Sequence, residues 1–239
     1  MDYVNFTIEN KYKFLKIVEG EAEIYFSTSE GELNFNKNII EGINNLNNLK
    51  MWFNLREIGY LNQIHSDSVH LYDGIIHEGD AILTNKKGVG IGVFTADCVP
   101  ILIYDKNNGA IGAVHSGWKG TFKCIIAKAI HKMAEVYKTK IEDVSVYIGP
   151  HNMECCYEVG KELIDKFLDQ EIYKNSNIST GVNLSMQKCI IKQLQHLGLE
   201  LSQIHTLDIC TFCNKENNLY SYRKSTEKDG RMFSFIFVK

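Results

Sequence analysis

Two histidines and a cysteine mark the segments of this 239-residue chain best suited to hold a metal ion or supply a nucleophile. The segments are Gln63-Ile64-His65-Ser66-Asp67, Thr95-Ala96-Asp97-Cys98-Val99-Pro100 and Val114-His115-Ser116-Gly117-Trp118-Lys119-Gly120. A thiolate and two imidazoles are borderline-soft donors that suit Zn²⁺, with bonds of ~2.3 Å to sulfur and ~2.0–2.1 Å to nitrogen. Three protein ligands leave the fourth tetrahedral position for water or substrate, which separates a catalytic from a structural site. His65 and Cys98 stand 33 positions apart, and Cys98 and His115 stand 17 apart, so only the fold can bring the three together. Each has a plain structural reading beside the functional one. A cysteine between two strands serves as a small core side chain, and histidines cap loops or strand ends.

Other segments carry weaker chemistry. Backbone amides of the Gly117–Gly120 turn, with Lys119 beside them, could hold a phosphate at the start of a helix, or the glycines could simply permit a tight turn. Asp97, next to a candidate ligand, is a candidate to orient a ligand histidine or move a proton. Near the C-terminus, Tyr220-Ser221-Tyr222-Arg223-Lys224 and Asp229-Gly230-Arg231 hold two of only three arginines, with Arg223 a candidate for phosphate. Arginine suits planar, bidentate recognition of phosphate or carboxylate, although an ordinary solvated hairpin is the slightly favoured reading. His70, His77, His131, His151, His196 and His205 lack partners at ligand spacing and read as structural. Cys210-Thr211-Phe212-Cys213 is a lone CxxC, weak evidence for zinc without a second such pair, and Cys155-Cys156 reads as reduced and partly buried.

The elements that must position these residues follow from periodicity. Gly90–Thr95, Val99–Tyr104 and Ala110–Val114 are short apolar runs that predict strands of one buried sheet, with a hairpin turn at Asp105–Gly109. Phe122, Ile125, Ile126, Ala129, Ile130, Met133, Val136 and Tyr137 share one helical face and predict a helix over Thr121–Lys138. Further helices are predicted at Ile43–Leu49, at Val159–Leu168 and from an Asn183 N-cap to Gly198 at C′. Strands are predicted at Val144–Ile148, Gln203–Ile209, Leu219–Tyr222 and Phe233–Val238. Strands and helices mix without strict βαβ alternation, which predicts an α+β fold of layered mixed sheets, with residues 1–239 as one domain.

Composition sets the class. At 44% hydrophobic residues the chain can bury a core, and a net charge of −3 gives no general pull toward nucleic acid or membrane. No apolar stretch approaches the ~18 residues of a spanning helix, and the first segment has no apolar h-region. Seven scattered cysteines favour reduced thiols over a disulfide framework. The expectation is a soluble cytoplasmic protein whose partners are small molecules, with no nucleic acid or membrane and with protein partners unknown.

Read in order, QIHSD, GDAILTN, TADCVPILIYD, AVHSGWKGT, IGPHNMECCYEVG and SYRKSTEKDGRM resemble the laccase-domain family, from about Ser27 to the C-terminus. The family has been called multicopper polyphenol oxidase and is associated with purine nucleoside phosphorylase and adenosine deaminase activity. The resemblance implies zinc on His65, Cys98 and His115, the trio that the chemistry picks out. It also implies a layered α/β sandwich distantly like the deamidase domain of cytotoxic necrotising factors. The implied reaction is phosphorolysis of adenosine, inosine and methylthioadenosine to free base and the sugar 1-phosphate, with adenosine deamination as companion. Some positions depart from the family pattern. The early Asn-Arg pair is missing at Asn44-Asn45-Leu46, Lys119 replaces an arginine in HSGWKG, GPxI reads Gly149-Pro150-His151-Asn152, and Arg223-Lys224 replaces an arginine pair. Copper is disfavoured: eight histidines with no HxH pair cannot build a trinuclear cluster, although a lone His₂Cys set could hold one copper. The zinc-deaminase signature HxE with PCxxC is also absent. Two other classes stay open: a metal-independent hydrolase using Cys98 and His115, and a peptidoglycan-precursor editing factor, as some relatives are thought to be.

Overall fold

The computed structural model describes residues 5–227 and 229–239. The chain opens with β1 (Asn5–Glu9), β2 (Tyr12–Glu19) and β3 (Ala22–Ser27), then α1 (Ile40–Trp52) and the short β4 (Glu57–Gly59) and β5 (Val69–Leu71). Next come β6 (Ala81–Thr84), β7 (Val89–Thr95), β8 (Val99–Asp105) and β9 (Ile111–Ser116), followed by α2 (Trp118–Phe122) and α3 (Ile125–Tyr137). After these lie β10 (Val144–Ile148), α4 (Lys161–Leu168), β11 (Ser179–Thr180), β12 (Asn183–Leu184), α5 (Met186–His196), β13 (Ile204–Thr206) and β14 (Met232–Val238).

Two mixed six-stranded sheets result, ordered β1-β2-β3-β14-β7-β4 and β13-β10-β8-β9-β6-β5. Strand alternation distributes their side chains over three cores. On β14, Phe233, Phe235 and Phe237 face Leu46 and Leu49 of α1, while Ile236 and Val238 join Leu102, Tyr104, Ala113 and Tyr147 between the sheets. On β8, Ile101 and Ile103 point instead to Ile126 and Ile130 of α3 and Ile190 of α5. The layers therefore run α1, first sheet, second sheet, helices, which is the expected α+β layered sandwich. Sheets covered on both faces explain why β7, β8 and β14 are buried along their whole length.

Several local expectations need correction. β7 does not share a sheet with β8 and β9: it pairs with β14 and β4, and the chain crosses between sheets through Ala96-Asp97-Cys98. Both kinds of strand are equally apolar because both are covered, so composition cannot separate them. The long helix is broken, with Cys124 left-handed (φ 56°) between α2 and α3. The last carbonyls of α2 are taken by side chains from elsewhere: Gln193 Nε2 donates to Thr121 O at 2.7 Å and Gln170 Nε2 to Phe122 O at 3.0 Å. Ser185 caps α5, accepting from Lys188 N, while Asn183 pairs in β12. Leu219–Tyr222 is not a strand. Ser221 turns the chain there, its Oγ accepting from Lys224 N and its carbonyl from Ser225 N.

Candidate metal centre

Strand register alone brings Cys98 to His115. In the β8–β9 hairpin, Val99 lies opposite Ser116 and Pro100 opposite His115, so Cys98 faces Gly117 and is the diagonal neighbour of His115 on the same side. The turn between them is built as its composition predicts, with Asp105 Oδ1 accepting from Asn107 N and Asn108 N, and Gly109 at φ 76°.

His65 arrives by a different route. Its loop follows β4 and is tied to β7 by Gln63, whose amide donates to Phe94 O at 2.8 Å and accepts from Phe94 N at 2.7 Å. The loop then wraps around the fully buried Asp80. That carboxylate accepts from the backbone of Ile64, His65 and Ser66 at 3.3, 3.1 and 2.5 Å and from Ser66 Oγ at 2.7 Å. His65 adopts φ 57°, in the left-handed region that few non-glycine residues occupy, held there by these bonds. Asp80 directly precedes β6, where Ala81 pairs with Val114, so it lies opposite His115. His115 N donates to Asp80 O at 2.7 Å. Its Nδ1 lies 2.7 Å from Asp80 Oδ1, which fixes the proton on Nδ1 and leaves the Nε2 lone pair for a ligand.

The three donor atoms lie within 4.8 Å of one another, with Cys98 Sγ 3.8 Å from His65 Nε2. Gly117 closes one side of the cluster. A Cβ there would sit 3.0 Å from His65 Cδ2 and 3.2 Å from Cys98 Sγ, so the ring and the sulfur occupy space that any other residue would take. The donor set and its spacing fit one small divalent ion. Electrostatics agree. Burial opposes ionisation of Cys98, but the charge on His115 and hydrogen bonds from both histidines outweigh it and bring the thiol down to about 6. Burial likewise opposes the charged form of His115, yet the Cys98 thiolate and Asp80 raise it. Asp80 drops to about 2 because, despite its burial, His115 and Ser66 bond its ionised form.

The cluster opens into a cavity of about 590 Å³. Its wall includes Lys37, Asn62, Phe94, Tyr157, Tyr222, Arg223 and Arg231. Lys37 Nζ is held by the neutral Asn62 Oδ1 at 2.8 Å. The Arg223 guanidinium lies 4.5 Å from the Tyr157 ring centroid and donates to Glu158 O. Asp97 also lines the cavity, but it does not orient a ligand histidine. It accepts from Thr211 Oγ1 at 2.7 Å and from Arg223 N at 2.8 Å, and Asp80 takes the role expected of it. Lys119 is exposed, lies outside the cavity wall and stacks toward Trp118. Lys37, Asp80 and Tyr157 escape a reading by spacing. Asp80 alone leaves a sequence signal, an acid set directly against the apolar run of β6.

Among the described residues no helix is long and apolar enough to cross a membrane. A purine nucleoside phosphorylase of Clostridium acetobutylicum is 47% identical over 232 residues, covering 96% of this chain and 98% of its own. One from Aquifex aeolicus is 37% identical over 161 residues, covering 67% of this chain and 72% of its own. The solved structure of Bacillus licheniformis hypothetical protein YfiH superposes with a TM-score of 0.89 at 25% identity, covering 98% of this chain and 99% of the other. A family model described as multi-copper polyphenol oxidoreductase laccase matches residues 32–239, and the chain belongs to this laccase-domain family.

Proposed function

We propose that the protein is a zinc-dependent purine nucleoside phosphorylase acting on adenosine, inosine and methylthioadenosine. One observation carries the reading: a three-donor cluster with a free side, opening into a cavity whose wall holds Lys37, Arg223 and Arg231 beside Tyr157, Tyr222 and Phe94. The relatives named purine nucleoside phosphorylase support it.

His65, Cys98 and His115 would hold Zn²⁺, which when bound supplies a Lewis acid beside the reacting oxygens. The three cationic side chains gather phosphate and offset its charge. Tyr157, Tyr222 and Phe94 present rings on which the purine stacks. In the reaction a phosphate oxygen bonds to the anomeric carbon while the glycosidic bond breaks. The bonding pair leaves with the purine, which takes up a proton, and the sugar 1-phosphate remains. Holding both reactants in one pocket converts the encounter into a unimolecular step. Asp97 accepts one bond at each oxygen, from Thr211 Oγ1 and from Arg223 N, and so acts as a positioning residue for the Arg223 loop. Adenosine deamination at the same site exchanges the exocyclic amine for a water oxygen, giving inosine and ammonia.

Metal analysis coupled to phosphate-dependent release of free base tests the reading. Cys98→Ala should remove the zinc held by this cluster together with phosphorolysis, and full activity in that variant without metal at this cluster overturns it. A second reading draws on the depressed Cys98 thiol beside His115, the pairing of a metal-free cysteine hydrolase. Iodoacetamide labelling of Cys98 that zinc fails to block would favour that reading.

A further inference from the structure

Cys210 and Cys213, a lone CxxC in the sequence, acquire a second pair in the fold. The sulfurs of Cys155, Cys156, Cys210 and Cys213 all lie within 4.8 Å of one another, and none of the four residues lines the nucleoside cavity. Cys155 Sγ and Cys213 Sγ stand 3.7 Å apart. That is far beyond the ~2.05 Å of a disulfide, and it matches the ~3.8 Å edge of a tetrahedron of sulfurs ~2.3 Å from one zinc.

The backbone presents both pairs on tight turns joined side by side. His151 and Cys210 form a parallel bridge, with His151 N donating to Ile209 O at 3.2 Å and Thr211 N to His151 O at 2.9 Å. Asn214 N donates to Cys210 O at 3.0 Å, closing the turn around the CxxC, and Cys156 N donates to Met153 O at 2.9 Å. Cys210 is buried, Cys156 half-buried, and Cys155 and Cys213 exposed, so an ion can enter from the surface.

We propose that Cys155, Cys156, Cys210 and Cys213 form a second, closed Zn²⁺ site that is structural rather than catalytic. Four protein ligands leave no position for a reactant. The site clamps two loops that shape the cavity. Tyr157 follows Cys156 directly and lies under the Arg223 guanidinium. Thr211, between the other two cysteines, donates to Asp97. This inference goes beyond the nucleoside reading and does not depend on it.

Zinc content of the full chain, purified under reducing conditions, provides the test. Two equivalents are expected. Cys213→Ser should retain only the zinc of the His65 cluster, Cys98→Ala only the zinc of the four cysteines, and the double variant none. Residue-resolved alkylation of the native wild-type protein gives a second readout that needs no variant to fold. All four cysteines should resist iodoacetamide until a chelator is added. A single equivalent lost with Cys98→Ala, alkylation of the four cysteines in zinc-loaded protein, or a disulfide among them under these conditions overturns the proposal. Loss of phosphorolysis with two zinc equivalents intact would refute the nucleoside reading alone.

Discussion

At the scale of single residues, the centre depends most on one that is not a ligand. Asp80 holds the His65 loop by its backbone and the His115 ring by its Nδ1, joining two candidate ligands that no local motif connects. Asp80→Asn places an amide NH₂ group among donors, so one or more of these bonds is lost. We expect a roughly 10–100-fold weaker zinc affinity at this cluster, read by competition with a chelating dye, and a destabilisation of roughly 3–5 kcal/mol from breaking a buried charged pair. Unchanged affinity would show that the loop holds itself. Cys98 offers a second check. With zinc removed, its alkylation rate should rise with pH around a midpoint of about 6, against ~8.5 for a free thiol. In His115→Ala the midpoint should move up toward the free value, because the opposing charge is gone.

At the scale of elements, the 17-residue gap between Cys98 and His115 is a single hairpin. Its length was legible, since both strands and the Asp105–Gly109 turn follow from their residues, and register then makes the two candidate ligands diagonal neighbours. The 33-residue gap to His65 carried no such signal. It spans three strands from both sheets and a loop whose path is set by long-range bonds to Asp80 and Phe94. Gly117 belongs to this scale because its missing side chain is what lets the strand end pass the cluster. Gly117→Ala should leave thermal unfolding of the zinc-free protein nearly unchanged while lowering zinc occupancy of the cluster, as His65 and Cys98 shift by a few tenths of an ångström. Gly149→Ala contrasts with it. The added Cβ would fall 2.2 Å from Phe26 Cε1, and overpacking of this kind costs roughly 1–3 kcal/mol, so the zinc-free protein should melt earlier.

At the scale of the whole molecule, the site lies where the chain crosses from one sheet to the other, and its stability is linked to that of the fold. Asp80 has a folded pKa of about 2, below its unfolded value of ~3.9. A depressed carboxylate adds stability above the unfolded pKa, and that stability is lost as pH falls through the folded one. In the zinc-free protein the advantage of wild type over Asp80→Asn in urea should therefore be full above about pH 4 and shrink by roughly 2–3 kcal/mol toward pH 2. A difference that stays constant across this window would refute the assignment.

Sequence by itself determined the apolar alternation, the hairpin, the donor types and the family resemblance, because these depend on neighbours a few positions apart. Tertiary structure alone decided which sheet each buried strand joined, since runs covered on both faces look the same whichever sheet they enter. It also turned Thr121–Lys138 into two helices by lending Gln170 and Gln193 to the end of the first. It chose Lys37, Arg223 and Arg231 over Lys119 as cavity cations, and it set Cys155-Cys156 beside Cys210 and Cys213. The physical reason is the same in each case: these partners are remote along the chain and meet only when the layers stack.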